Sequence, residues 1–288
     1  MVKKIFANIY IYLILLLMYF PILLLVACSF TEATNTGVWE GFSFNLYPRL
    51  FQNKEIMTAL GNTIIIALIS SAISVILGTL GAIGTFYSKK RSKRTIEMVT
   101  QIPVVNAEIV MALSLTVMFV FIGTYIFKGA SLFGFFTLLI GHVCLSLPFV
   151  YLSVKPKLQQ MDPNLYEAAM DLGCSPKQAL YKVILPQILP GVLSGFLLSL
   201  TLSLDDFIIT AFLRGPGLLS GDKSIETLST LVQAKIKKGP IPPELRALTT
   251  IIFLLVVAAV VAITLYRNYK SKHSLKNRLL RRRRRVTR

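Results

Sequence analysis

Apolar residues run through this chain in long unbroken stretches, and polar residues gather between them. Six stretches are long enough to cross a bilayer as helices, which takes about 20 apolar residues. They lie at roughly 9–29, 60–87, 102–124, 133–152, 187–213 and 247–267. They are continuous rather than alternating, which predicts helices and not the strands of a membrane barrel. The second and fifth exceed a bilayer's thickness, so they tilt or extend past it. The pattern predicts an all-α polytopic membrane protein with six transmembrane helices over 1–267 and a tail over 268–288.

Composition agrees. Of 288 residues 54% are hydrophobic and 15% charged, and mean hydropathy is +0.66, too apolar for a soluble domain. A net charge of +18 would suit a nucleic-acid partner, but its distribution points elsewhere. Six spans place both termini on one side, and 22 of the 31 Lys and Arg residues fall there. Basic loops face the cytoplasm, which predicts a multi-pass cell-membrane (inner-membrane) protein with both ends inside. The tail, ending in Arg281 to Arg285, has no aromatic residue among its last eighteen to stack on a base. Anionic lipid is its expected contact, and no nucleic-acid partner is expected. Cys28, Cys144 and Cys174 are scattered, without metal-ligand spacing. Leu25–Cys28 looks like a lipoprotein cleavage site, yet the run before it is long enough to span and five more follow.

Charges inside spans are costly and mark pathways. Glu108 falls in the first half of the third run, after Pro103. Asp205 and Asp206 fall in the fifth. On a straight helix Ser199, Ser203, Asp206 and Thr210 share a stripe about 60° wide. That stripe would suit an aqueous cavity, with Asp206 toward the pathway and Asp205 toward a neighbouring helix or the cavity edge. Arg214 is the only nearby cation, about two turns on. Carboxylates without a cation imply a cationic passenger. His142, in the fourth run, suits either a pore or a helix-packing hydrogen bond. Trp39, in the loop after the first run, suits an interface anchor, a first contact for the cation, or a contact for a binding protein.

The segment Glu167–Pro186 reads EAAMDLGCSPKQALYKVILP. Met161 to Leu172 predicts a short helix that Gly173 ends. Ser175 is a good N-cap, and Pro176 fits the first position of a second helix. Small Ala168 and Ala169 allow a partner to approach closely. Glu167, Ala168, Ala169, then Gly173 six residues after the Glu, and a close on Leu185 and Pro186, resemble the EAA loop of ATP-binding cassette (ABC) importer permeases. Val183 stands where Ile is usual. The resemblance implies the type I ABC importer permease fold, with 153–186 as the cytoplasmic coupling loop. It also implies separate ATPase subunits, a second homologous permease and an extracytoplasmic substrate-binding protein. The chain has no G-x-x-x-x-G-K-[ST] loop of its own, so ATP hydrolysis is expected in a partner. No cofactor or metal is expected.

The run Ser203-Leu204-Asp205-Asp206 with Gly215-Pro216, and the stretch from Leu228 through Pro243 to Leu248, resemble spermidine/putrescine importer permeases of the PotC type. A polyamine needs spaced carboxylates for its ammonium groups, and Glu108, Asp205 and Asp206 are the candidates. The alternatives are the same architecture with another cationic or metal substrate, and an intramembrane enzyme. The chain lacks H-E-x-x-H and G-x-S-x-G, and two adjacent aspartates diverge on one helix.

Overall fold

The computed structural model describes residues 2–33, 38–129, 131–215, 225–239, 242–258 and 261. Among them the regular structure is helical, without strands. Five helices are long and apolar enough to cross a membrane: Asn8–Cys28, Lys54–Phe86, Glu108–Tyr125, Phe135–Gln160 and Pro176–Asp205. They match the first five runs. In the sixth run, residues up to 258 belong to a helix that begins at 243. The rest of that run, except residue 261, and the whole basic tail lie outside the described residues.

The chain divides into two compact units, Met1–Lys54 with Lys238–Arg288, and Glu55–Lys237. In the first unit, α1 (Val2–Cys28) leads through a loop to the short α2 (Leu46–Gln52). The spanning part of α1 buries nothing within the chain, as suits a helix facing lipid or another subunit. The loop folds on an aromatic cluster: Phe30 stacks on Phe42 at 5.3 Å, and Phe44 stands edge-on to both. The helix over 243–258 is tied to this loop by Arg246, whose Nη1 donates to the Ala33 carbonyl at 2.9 Å.

The second unit is a helical bundle. It comprises α3 (Lys54–Phe86), α4 (Lys90–Val105), α5 (Glu108–Tyr125), α6 (Phe135–Gln160), α7 (Leu165–Asp171), α8 (Pro176–Ala179), α9 (Leu185–Asp205), α10 (Ile208–Leu213) and α11 (Leu228–Lys238). Its inner faces are built from small residues. The α3 stripe Thr63, Ala67, Ser70, Ser74, Gly78 and Ala82 is buried. A Cβ on Gly195 of α9 would lie 3.2 Å from Val150 Cα of α6. Lipid is as apolar as leucine, so close backbone approach and interhelical hydrogen bonds hold such a bundle together. One end packs Val150, Val154, Ile184 and Ile188, and the other packs Ile66, Leu138, Ile209 and Leu213.

Two of the expected spans are broken helices. The third run splits at Asn106 and Ala107, both extended, between α4 and α5. Pro103 lacks an N–H and crowds the preceding turn, so α4 ends two residues later. Glu108 is therefore the first residue of α5, not a residue within a longer helix. The fifth run splits at Asp206, which is extended (φ −61°, ψ 127°) between α9 and α10. The straight-helix stripe is thus interrupted at its most polar residue.

Candidate functional site

At the α9–α10 break the Asp206 side chain competes with helix continuation by bonding nearby backbone, as aspartate does at helix starts. Its Oδ1 accepts from the Ile209 N–H at 3.1 Å. Its Oδ2 accepts from the Thr210 N–H and the Thr210 hydroxyl, both at 2.9 Å. The Asp206 carbonyl accepts from the Ser229 hydroxyl at 2.7 Å, which ties the break to α11. Asp206 is a buried cap, 4% exposed, and Asp205 is exposed. This reverses the expected orientation of the pair, because α9 ends at Asp205 and Asp206 turns out of the helix to cap the next one.

The stripe Ser199, Ser203 and Thr210 is buried too. Ser203 Oγ lies 3.0 Å from Ser70 Oγ of α3 and 2.7 Å from His142 Nδ1 of α6. His142 Nε2 lies 3.1 Å from Thr210 Oγ1 and 3.5 Å from Asp206 Oδ2. Ser203, His142 and Thr210 join helices and, among the described residues, are buried rather than facing an open cavity, while the Ser199 hydroxyl is buried without a hydrogen-bond partner. His142 thus makes the helix-packing hydrogen bonds that were one of its two readings. It is also the partner of Asp206 that charge counting missed, since a neutral imidazole does not register among cations. Arg214 pairs instead with Glu226, at 3.9 Å.

Glu108 is half-buried at the start of α5, which packs against α10 and so lies beside the Asp206 break. The structure therefore brings Glu108, Asp205 and Asp206 together although Glu108 is about a hundred residues away in sequence. The C-terminal end of α9 carries partial negative charge and lies at the same place. Trp39 belongs to the first unit and is 58% exposed.

The second candidate region is the loop between α6 and α9. Its first helix begins at Leu165, later than the expected Met161. Met161 instead closes α6 in an extended conformation, and Pro163 holds the residue before it out of the helical region. The Asp162 carboxylate accepts from the Asn164 N–H at 2.9 Å. Gly173 ends α7 at φ +86°. The Gly173 and Cys174 N–H groups donate to the Met170 and Ala169 carbonyls, the paired bonds of a Schellman ending. Ser175 then caps α8, with Gln178 donating to its Oγ and returning a bond to its N–H. Leu180–Ile184 form one π-helical turn into α9. Pro186, lacking an N–H and crowding the Lys182 carbonyl, widens that turn. Leu185 and Pro186 open α9. Ala169 and Ala179 are buried, while Glu167 and Ala168 face outward beside exposed Met170, Leu172 and Tyr181. Behind the loop, the Tyr166 ring lies 5.4 Å from Tyr87. Burial, then the Tyr166 hydroxyl, pushes the Tyr87 phenol up.

A chain whose described residues are all-helical, with several helices long and apolar enough to cross a membrane and an ordered helix-turn-helix between two of them, is of the multi-pass membrane class. Residues 74–272 match the model of the binding-protein-dependent transport system inner membrane component, and the chain belongs to that family. Among its relatives is the spermidine/putrescine transport system permease protein PotC of Haemophilus influenzae. It is 35% identical over 254 residues, 88% of this chain and 93% of the relative. PotC of Escherichia coli K12 is 31% identical over 88% of this chain and 91% of its own length. The putrescine permease PotI of the same organism is 31% identical over 82% and 81%. A solved bacterial ABC transporter involved in the import of the acidic polysaccharide alginate shares the fold. It has a TM-score of 0.67 at 17% identity over 93% of this chain and 96% of that chain. A bacterial alginate ABC transporter in complex with alginate pentasaccharide-bound periplasmic protein gives a TM-score of 0.66 at 17% identity over 91% of this chain and 92% of that chain. The chain is a transport permease subunit and not an enzyme.

Proposed function

We propose that this chain forms half of the membrane pathway of an ATP-driven importer for spermidine or putrescine. The observation that carries the reading is the break between α9 and α10: exposed Asp205 ends α9 there, and Glu108 opens α5, the helix that packs against α10. Broken helices whose ends face a cavity are a recurrent way to bind ions within membranes. Here both the helix end and the side chains are negative, which selects ammonium groups over anions. Ser203 and Asp206 build the wall behind them, and Trp39 anchors the outer loop at the membrane interface. The relatives named for spermidine and putrescine support the choice of passenger.

In this reading the chain has six spans over 1–267, with both termini and the basic tail 268–288 in the cytoplasm. It pairs with a second homologous permease above two ABC ATPase subunits. The loop 153–186 sits in an ATPase groove through Glu167, Ala168 and the exposed apolar residues beside them, with Ala169, Gly173, Leu185 and Pro186 fixing its shape. An external binding protein delivers the polyamine. Closure of the ATPases moves the loop, and transport follows because the docked loop makes different contacts in the two states. Uptake of labelled spermidine and putrescine tests this in cells lacking the chain, restored with wild type, and restored with Asp205→Asn. Rescue by wild type and failure of a correctly inserted variant are expected. Wild type that rescues neither polyamine removes the substrate assignment and turns the search to other cations or metals.

A further inference from the structure

We propose that His142 is a positioning residue of the permeation pathway. Acting through Thr210, it holds the Asp206 carboxylate on the N-terminus of α10 and leaves Asp205 and Glu108 to meet the cation. The part about the cation rests on the proposed function, and the positioning rests on geometry alone.

Thr210 has one hydroxyl hydrogen, and it goes to Asp206 Oδ2. The Thr210 oxygen then accepts from His142 Nε2–H at 3.1 Å, and Nδ1 is left to accept from Ser203 at 2.7 Å. Ser203 in turn meets Ser70. A directed chain of hydrogen bonds therefore runs from α3 through α9 and α6 to the start of α10 and ends on one carboxylate oxygen. With one proton on the ring, that proton is on Nε2. Asp206 receives three donors from α10 and has the imidazole edge 3.5 Å away. Its side chain is wholly covered, which leaves little of it for a passing ammonium group. Replacing a histidine that merely packed α6 on α9 with glutamine would leave KM for the cation unchanged, whereas replacing a positioning histidine raises it.

The chain has two histidines, His142 and His273. Labelling only this chain with 15N-histidine in the assembled, lipid-reconstituted transporter therefore gives imidazole signals from two residues, and His142→Gln assigns them. Asp206→Asn and Thr210→Val are expected to move the His142 Nε2 resonance, and Asp205→Asn is expected to leave it in place. A His142 resonance unmoved by Asp206→Asn overturns the proposal. In uptake kinetics, Asp205→Asn is expected to raise KM by about tenfold or more, the loss of one charged hydrogen bond. Asp206→Asn keeps an oxygen to cap α10 and is expected to raise KM by no more than about threefold. The reverse order overturns the proposal as well. A transporter that carries neither polyamine overturns the substrate reading alone, and the spectrum then decides the positioning of Asp206.

Discussion

Gly191 of α9 lies directly against the backbone of α6 at Ser153. A Cβ there would stand 2.9 Å from the Ser153 carbonyl oxygen and 2.8 Å from Lys157 Cγ. The lysine stem can swing away, but the carbonyl cannot. Overpacking of a tight contact costs about 1–3 kcal/mol. Gly191→Leu is expected to lower the thermal stability of the purified transporter and the yield of monodisperse protein, with Gly191→Ala between it and wild type. Equal profiles for all three on fluorescence-detected size exclusion would refute the close packing.

The loop between α6 and α9 makes a graded prediction. Gly173 holds φ +86° with open space around it, so a side chain there meets backbone strain and no steric clash with a neighbour. A left-handed conformation costs an L residue roughly 1–2 kcal/mol, most for a β-branched one. Gly173→Val is expected to insert normally but lose transport-coupled ATPase stimulation. Gly173→Asn, which tolerates that conformation, retains most of it. Ser175→Ala removes a cap worth about 1 kcal/mol and falls between. Stimulation of Gly173→Val by binding protein at the wild-type level would count against a fixed corner.

The local chemistry of this loop was readable from sequence because it is carried by neighbours: Gly173 ends one helix, Ser175 and Pro176 start the next. The break at Asp206 was not. Ser199, Ser203, Asp206 and Thr210 keep a helical spacing, and only the three-dimensional partners of the Asp206 carboxylate reveal that it caps a new helix. Hydrophobic patterning also fails to mark the inner face of α3, because its outer face is apolar toward lipid and its buried face is Thr63, Ala67, Ser70, Ser74 and Gly78. Small and hydroxylated residues every three or four positions are the readable signal there. The meeting of Glu108 with the two aspartates depends on packing between distant helices, which no local pattern states.

Ser74 and Ser146 tie α3 to α6 through hydroxyls 2.7 Å apart, and Ser146 also donates to the His142 carbonyl at 2.8 Å. Interhelical hydrogen bonds in membranes average about 0.6 kcal/mol, because the separated helices find other partners. Ser74→Ala is therefore expected to shift stability only slightly and leave uptake near wild type. Ser203→Ala, which cuts the chain that ends on Asp206, is expected to change KM. A large uptake defect in Ser74→Ala together with a silent Ser203→Ala would refute this division.

Outside the membrane, Glu32 organises the loop after α1. Its Oε1 accepts from the Ser43 hydroxyl at 2.6 Å and the Asn45 amide at 2.7 Å, and its Oε2 faces Arg49 Nη2 at 3.2 Å. The Ser43 bond, then the Asn45 bond, outweigh the opposing effect of desolvation, and with a smaller pull from Arg49 they hold this carboxyl below its ordinary 4.5. A carboxylate lowered on folding supports the loop at every pH above its unfolded value. That support is lost as pH falls through the lower folded value, when the proton weakens the bonds from Ser43 and Asn45 and removes the charge Arg49 faces. From pH 7 down to about 5 nothing should change. Below 4.5 the loop should loosen. Trp39, the chain's one tryptophan, lies in this loop and reports it. The emission difference between transporters carrying Trp39 and Trp39→Phe is expected to titrate with a midpoint below 4.5, and Glu32→Gln is expected to abolish that step. A midpoint above 4.5, or a step that persists in Glu32→Gln, would assign the titration to another group.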